Sequence, residues 1–136
     1  MSWRQGLRQR ARQGIPALLE VDALLQAHGV LAALPGARIA PGLVRFQLAA
    51  VTCEGLRGQG LDWLQGARQG RGAVAGRVPR YRSWKAGAEA LAEIGIGGLP
   101  EDWPTHAAVY GCSSIDRRHW LLLLPERAQL WLGWNG

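Results

Sequence analysis

The run Trp120-Leu121-Leu122-Leu123-Leu124, closed by Pro125, constrains this chain more than any other stretch. Consecutive bulky apolar residues leave a strand no polar face, so the segment has to be covered on both sides, as a central strand is. It is far shorter than the roughly 20 residues a membrane-spanning helix requires. Pro125-Glu126-Arg127 then reads as a turn, because the fixed φ of proline suits its first corner. Gln129 to Trp134 returns as a second strand, with Leu130, Leu132 and Trp134 on one face. Upstream, His106 to Gly111 alternates as a further strand and Cys112-Ser113-Ser114 opens a polar turn.

The remaining elements are placed around that sheet. Trp3, Leu7 and Ala11 recur at helical spacing beside an arginine stripe of Arg4, Arg8 and Arg12, so residues 1–14 read as a basic amphipathic helix. Pro16 suits the first turn of a second helix, with Leu18, Val21, Leu25, His28 and Ala32 on one face, stopped by Leu34-Pro35-Gly36. Ile39 to Gly42 reads as a turn. From there the period becomes two, and Val44, Phe46 and Leu48 mark a strand ending near Cys53. Residues 54–82 form a Gly/Arg-rich connection holding a short helix from Leu61 to Arg68 and a short arm at Val74 and Val78. Ser83 is the expected cap of a third helix bearing Trp84, Ala88, Leu91 and Ile94, ended by Gly95. Ile96 to Pro104 is a loop.

The expected architecture is α+β: one domain over residues 1–136, with an antiparallel sheet of about four strands and helices packed on one side. A chain of 136 residues, 48% hydrophobic and 19% charged, can bury such a core unaided. Cys53 and Cys112 lack metal-type spacing and read as reduced, buried thiols, which points to a cytoplasmic setting.

Charge carries the functional reading. The net charge of +6 is concentrated in residues 1–12 and 57–85, while the rest of the chain is net acidic. Basicity confined to two segments points to an anionic partner, most simply nucleic acid. The candidate phosphate contacts are Arg4, Arg8, Arg12, Arg68, Arg71, Arg77, Arg80, Arg82 and Lys85, with Trp63, Tyr81 and Trp84 as stacking faces. No zinc-finger, RNP-type or helix-turn-helix signature accompanies them.

Two alternatives stand beside this one. Seven tryptophans in a small chain suit an assembly subunit, either a homo-oligomer or part of a larger particle such as a virus. Trp3, Trp131 and Trp134 are its expected exposed interface residues. A thiol enzyme would use Cys112 with His106 or His119 and Asp116, although no nucleophile motif surrounds Cys112. The sequence contains no nucleotide-binding glycine motif, no ligand set at metal spacing and no feature requiring a cofactor.

Overall fold

The computed structural model describes residues 3–28, 42–74, 76–95 and 108–134. In chain order these form α1 (Trp3–Gln13), β1 (Val21–His28), β2 (Gly42–Leu48), α2 (Ala50–Leu64), β3 (Lys85–Ala86), α3 (Gly87–Ile94), β4 (Tyr110–Ser113), β5 (His119–Leu124) and β6 (Gln129–Trp134). The strands make one six-stranded sheet in the order β1-β2-β6-β5-β4-β3, every described pairing antiparallel. No helix among the described residues is long and apolar enough to cross a membrane.

The run that was expected to be central is central. β5 lies between β6 and β4, and Leu121 to Leu124 are all fully buried. The turn after it is a short 3₁₀ segment, Pro125–Arg127, closed by Ala128 in the left-handed region. β6 then pairs with β5 on one side and β2 on the other, so the last described strand sits inside the sheet. α3 ends at Gly95 with φ 77°, the left-handed stop the sequence indicated.

The second helix expected from Pro16 onward is not there; that stretch is strand β1. Its apolar residues Val21, Leu24 and Ala27 recur every three positions, which imitates a helix. The register explains how a strand can do this. Val21 pairs with Leu48, Leu24 with Phe46 and Ala27 with Val44, so three steps along β1 match two along β2. Each mismatch is a bulge, and each returns the third residue to the core face. The expected end of this helix at Leu34-Pro35-Gly36 and the turn at Ile39 lie outside the described residues.

Other expectations also change. β2 stops at Leu48, and Cys53 belongs to α2 rather than to a strand end. Residues 54–64 of the supposed Gly/Arg-rich connection are therefore helical, and the expected Leu61–Arg68 helix is only the last turn of α2, ending at Leu64. Gly60 kinks α2 at φ 56° and ψ −132°, a region that side chains forbid. Gly55 is needed for contact: a Cβ there would lie 2.7 Å from the indole of Trp63, which folds back over it. Ser83 does not cap α3. Lys85 and Ala86 first form β3, Ala86 is the cap residue, and Ala88 is exposed. The loop from Ile96 to Pro104 and the lead-in at His106 lie outside the described residues.

Helices cover both faces of the sheet, not one. On the first face Leu7 and Ala11 of α1 and Cys53, Leu56 and Leu64 of α2 pack with Phe46, Leu121, Leu123, Leu130 and Leu132. On the second, Leu91 and Ile94 of α3 pack against Leu122, Leu124, Trp131 and Val109. α3 approaches β4 closely, since a Cβ on Gly111 would stand 3.2 Å from that of Ala90. The indole of Trp120 fills the space where a Gly133 side chain would project from the neighbouring strand.

Candidate functional site

The arginines divide by what their side chains touch. Arg71 points inward. Its guanidinium donates to the carbonyls of Leu19 (3.0 Å), Arg12 and Ile15 (both 3.4 Å) and Ala17 (3.5 Å), and meets the Glu20 carboxylate at 3.4 Å. Only 11% of the side chain is exposed. Burial, and secondarily the charge of Arg12, lower its pKa, with Glu20 opposing. Arg71 ties the chain leaving α1 to the segment after α2; it is a structural cation and not a free phosphate contact.

Several other candidates are also engaged. Arg8 holds the Asp22 carbonyl through Nε (3.2 Å) and Nη2 (3.0 Å), fastening α1 to β1. Arg12 lies 3.6 Å from Glu20. Arg68 donates to the Tyr81 carbonyl at 3.1 Å, and Arg82 stands 3.8 Å from Glu93. Arg4 lies on α1, its side chain outside the described part, as is that of Trp3. Lys85 is half-buried on β3, whereas Arg77 and Arg80 are exposed. Tyr81 and Trp84 are not stacking faces. Both are buried, Tyr81 donating to the Gly14 carbonyl (2.6 Å) and Trp84 to that of Ala67 (2.8 Å). Trp63 is half-buried against Gly55.

Exposed side chains near the end of β4 form a surface that the sequence did not reveal. The segment before β3 runs antiparallel to the end of β4. Arg82 N donates to the Ser113 carbonyl and Ile115 N to that of Arg80, each at 2.8 Å. With Tyr81 inward, alternation turns Arg80 and Arg82 outward. Beside them is the β4–β5 turn, where Ile115 is 65% exposed and Arg117 and Arg118 follow. Asp116 shapes the turn. Its Oδ1 accepts from Ser114 Oγ (2.7 Å) and Arg118 N (3.1 Å), and the hydroxyl bond lowers the carboxyl pKa most. Arg77 and the partly exposed Val78 extend the same segment. The sequence signal for the turn was Ser-Ser-Ile-Asp-Arg-Arg, polar enough to mark a loop but silent on which segment would lie next to it.

The thiol constellation is not assembled. Cys112 is fully buried, and burial holds its pKa well above the ordinary thiol value, so the nucleophilic thiolate is disfavoured. Asp116 is committed to the turn. Burial lowers the pKa of His119, whose Nδ1 is buried without a hydrogen-bond partner among the described residues. His106 lies outside them. Cys53 and Cys112 are both free and buried, as expected. Among the described residues no three His, Cys, Asp or Glu side chains group as metal ligands.

The exposure expected of Trp131 needs correction, because it is buried, only 6% exposed. Arg45 covers it, its guanidinium carbon 4.1 Å from the ring centroid. Trp134 is half-buried, packed against the first core. No protein-family model, curated protein or solved structure matches this chain.

Proposed function

We propose that this protein is a non-enzymatic binding protein that engages a polyanion, nucleic acid in the first instance, through the surface built from Arg77, Arg80, Arg117 and Arg118, with Arg82, which also meets Glu93, at its margin. The observation carrying this reading is the backbone pairing of Arg80 and Arg82 with Ser113 and Ile115. It joins one of the two basic sequence segments to a second pair of arginines some thirty-five positions later. Asp116 is the only acid within the turn, and its carboxylate is occupied there. Exposed Ile115 and Val78 give the cationic surface an apolar component that can rest against bases or sugars.

The test is fluorescence anisotropy with labelled oligonucleotides across a salt series. Binding should weaken steeply with salt, since each neutralised phosphate releases a counterion. Alanine at Arg77, Arg80 and Arg118 together should reduce the slope of log affinity on log salt by about 0.7 to 0.9 for each contact removed. Absence of binding at low salt, or a triple variant with an unchanged slope, refutes the reading.

A further inference from the structure

A second cationic feature lies on β2 and β6, away from both basic sequence segments. Arg45 of β2 and Trp131 of β6 are directly paired across strands, so their side chains leave the sheet on the same side. The guanidinium lies over the indole at 4.1 Å, and Trp131 Nε1 donates to Gln129 Oε1 at 3.0 Å, which holds the ring in orientation. Arg45 Nε is buried with no hydrogen-bond partner, and the guanidinium has no carboxylate partner among the described residues. Two neighbours on this face are neutral amides: Gln26 is paired with Arg45 across from β1, and Gln47 is two residues along β2, both exposed, while Leu43 on the other side packs with Trp131.

A charged, half-buried guanidinium without an acid is otherwise costly. Here the aromatic ring below compensates part of that cost. The outer face of the guanidinium is then a preorganised stacking platform, with two primary amides beside it whose donors and acceptors suit base edges. We infer that this face binds a single-stranded nucleobase, stacked on Arg45 above Trp131, with Gln26 and Gln47 at its edges. The site rests on the polyanion reading above and adds a preference to it. A paired base is enclosed in its own helix and cannot lie flat on a sheet, so single strands are selected over duplex.

The experiment compares a labelled oligothymidylate with a duplex of equal length, using wild-type protein, Arg45→Lys and Arg45→Ala. Lysine keeps the charge and loses the plane. Stacking predicts that both variants bind the single strand about five-fold or more weakly and lose the preference over duplex. Arg45→Lys at wild-type affinity, or a wild type that binds duplex as tightly, overturns the inference. If Arg45→Lys is unchanged while the Arg77/Arg80/Arg118 variant loses binding, the polyanion reading stands and the stacking site falls. Photocrosslinking of an iodouracil-substituted oligonucleotide to wild type gives a readout independent of variant folding. Attachment within residues 42–48 or 129–134 is expected, and attachment confined to residues 77–82 and 115–118 refutes the site.

Discussion

At the scale of single residues, an arginine's role here is decided by what its donors meet. Arg71 and Arg77 look alike in sequence, both set in a glycine-rich stretch. Arg71 serves four carbonyls between Arg12 and Leu19, more than fifty positions earlier, and no local pattern announces a contact of that range. Arg71→Ala should therefore cost about 1 to 3 kcal/mol in urea denaturation, because partly buried acceptors lose charged donors. Arg71→Lys should recover little of it, since a single ammonium cannot span the same carbonyls. Alanine at exposed Arg77 should leave the urea midpoint nearly unchanged. His119 gives a pH signature. Burial lowers its pKa in the folded state, so the unfolded chain takes up a proton first, near pH ~6.5. Below that pH the unfolded state holds more protons, and stability falls as the pH drops until the folded-state pKa is passed. The urea midpoint should fall between about pH 7.5 and 5.5, and His119→Gln should flatten that fall. Asp116 acts in a separate window. Its depressed pKa supports the fold at neutral pH, and that support is lost only below the ordinary carboxylate range.

At the scale of elements, glycine in α2 separates what was readable from what was not. β5 and β6 could be placed from sequence because their apolar pattern admits one covered arrangement and Pro125 marks the turn between them. β1 could not, because its bulges convert a two-residue period into a three-residue one. α2 was hidden for another reason. Gly55, Gly58 and Gly60 depress helix propensity, and the cap residue Ala49 makes no side-chain bond. The helix exists because Thr52, Cys53, Leu56 and Leu64 are buried in the core. Thr52 Oγ1 also accepts from Glu20 N (2.8 Å) and donates to the Glu20 carbonyl (3.0 Å), fixing the first turn to the entrance of β1. The three glycines should answer differently to alanine. Gly58 is exposed, with no atom of the described residues near its added Cβ, so Gly58→Ala should stabilise by about 0.5 to 1 kcal/mol. Gly55→Ala should destabilise by displacing the Trp63 indole, and Gly60→Ala by forcing alanine into a forbidden backbone region. Thermal melts of the three variants should show one shift upward and two downward.

At the scale of the molecule, β6 decides whether the chain behaves as one body. β1 and β2 form one pair, β3, β4 and β5 form another set, and β6 supplies the pairing between them. Its Leu130 and Leu132 are buried with residues from both sets in one core, and Leu132 lies against the end of α1 beneath Gly14. The two cationic surfaces fall on opposite sides of this join. Arg45 belongs to the β2 side, while Arg80, Arg82 and the β4–β5 turn belong to the other. Composition already showed an excess of positive charge. Its division between two sheet regions was not visible, because it depends on register and not on sequence distance. Leu132→Ala should lower stability by about 2 to 5 kcal/mol through the cavity it leaves. If the chain is one cooperative domain, tryptophan fluorescence and far-ultraviolet circular dichroism should shift together and remain superimposable. Two separated transitions would instead show that the β1–β2 and β3–β5 regions unfold independently. The same variant links fold to binding. Below its transition, Leu132→Ala should bind oligothymidylate at wild-type affinity, because neither Arg45 nor the β4–β5 turn has changed chemically. Through the transition, affinity should decline in step with the folded fraction. Binding that survives complete unfolding would mean that charge alone, without the register that joins these surfaces, holds the nucleic acid.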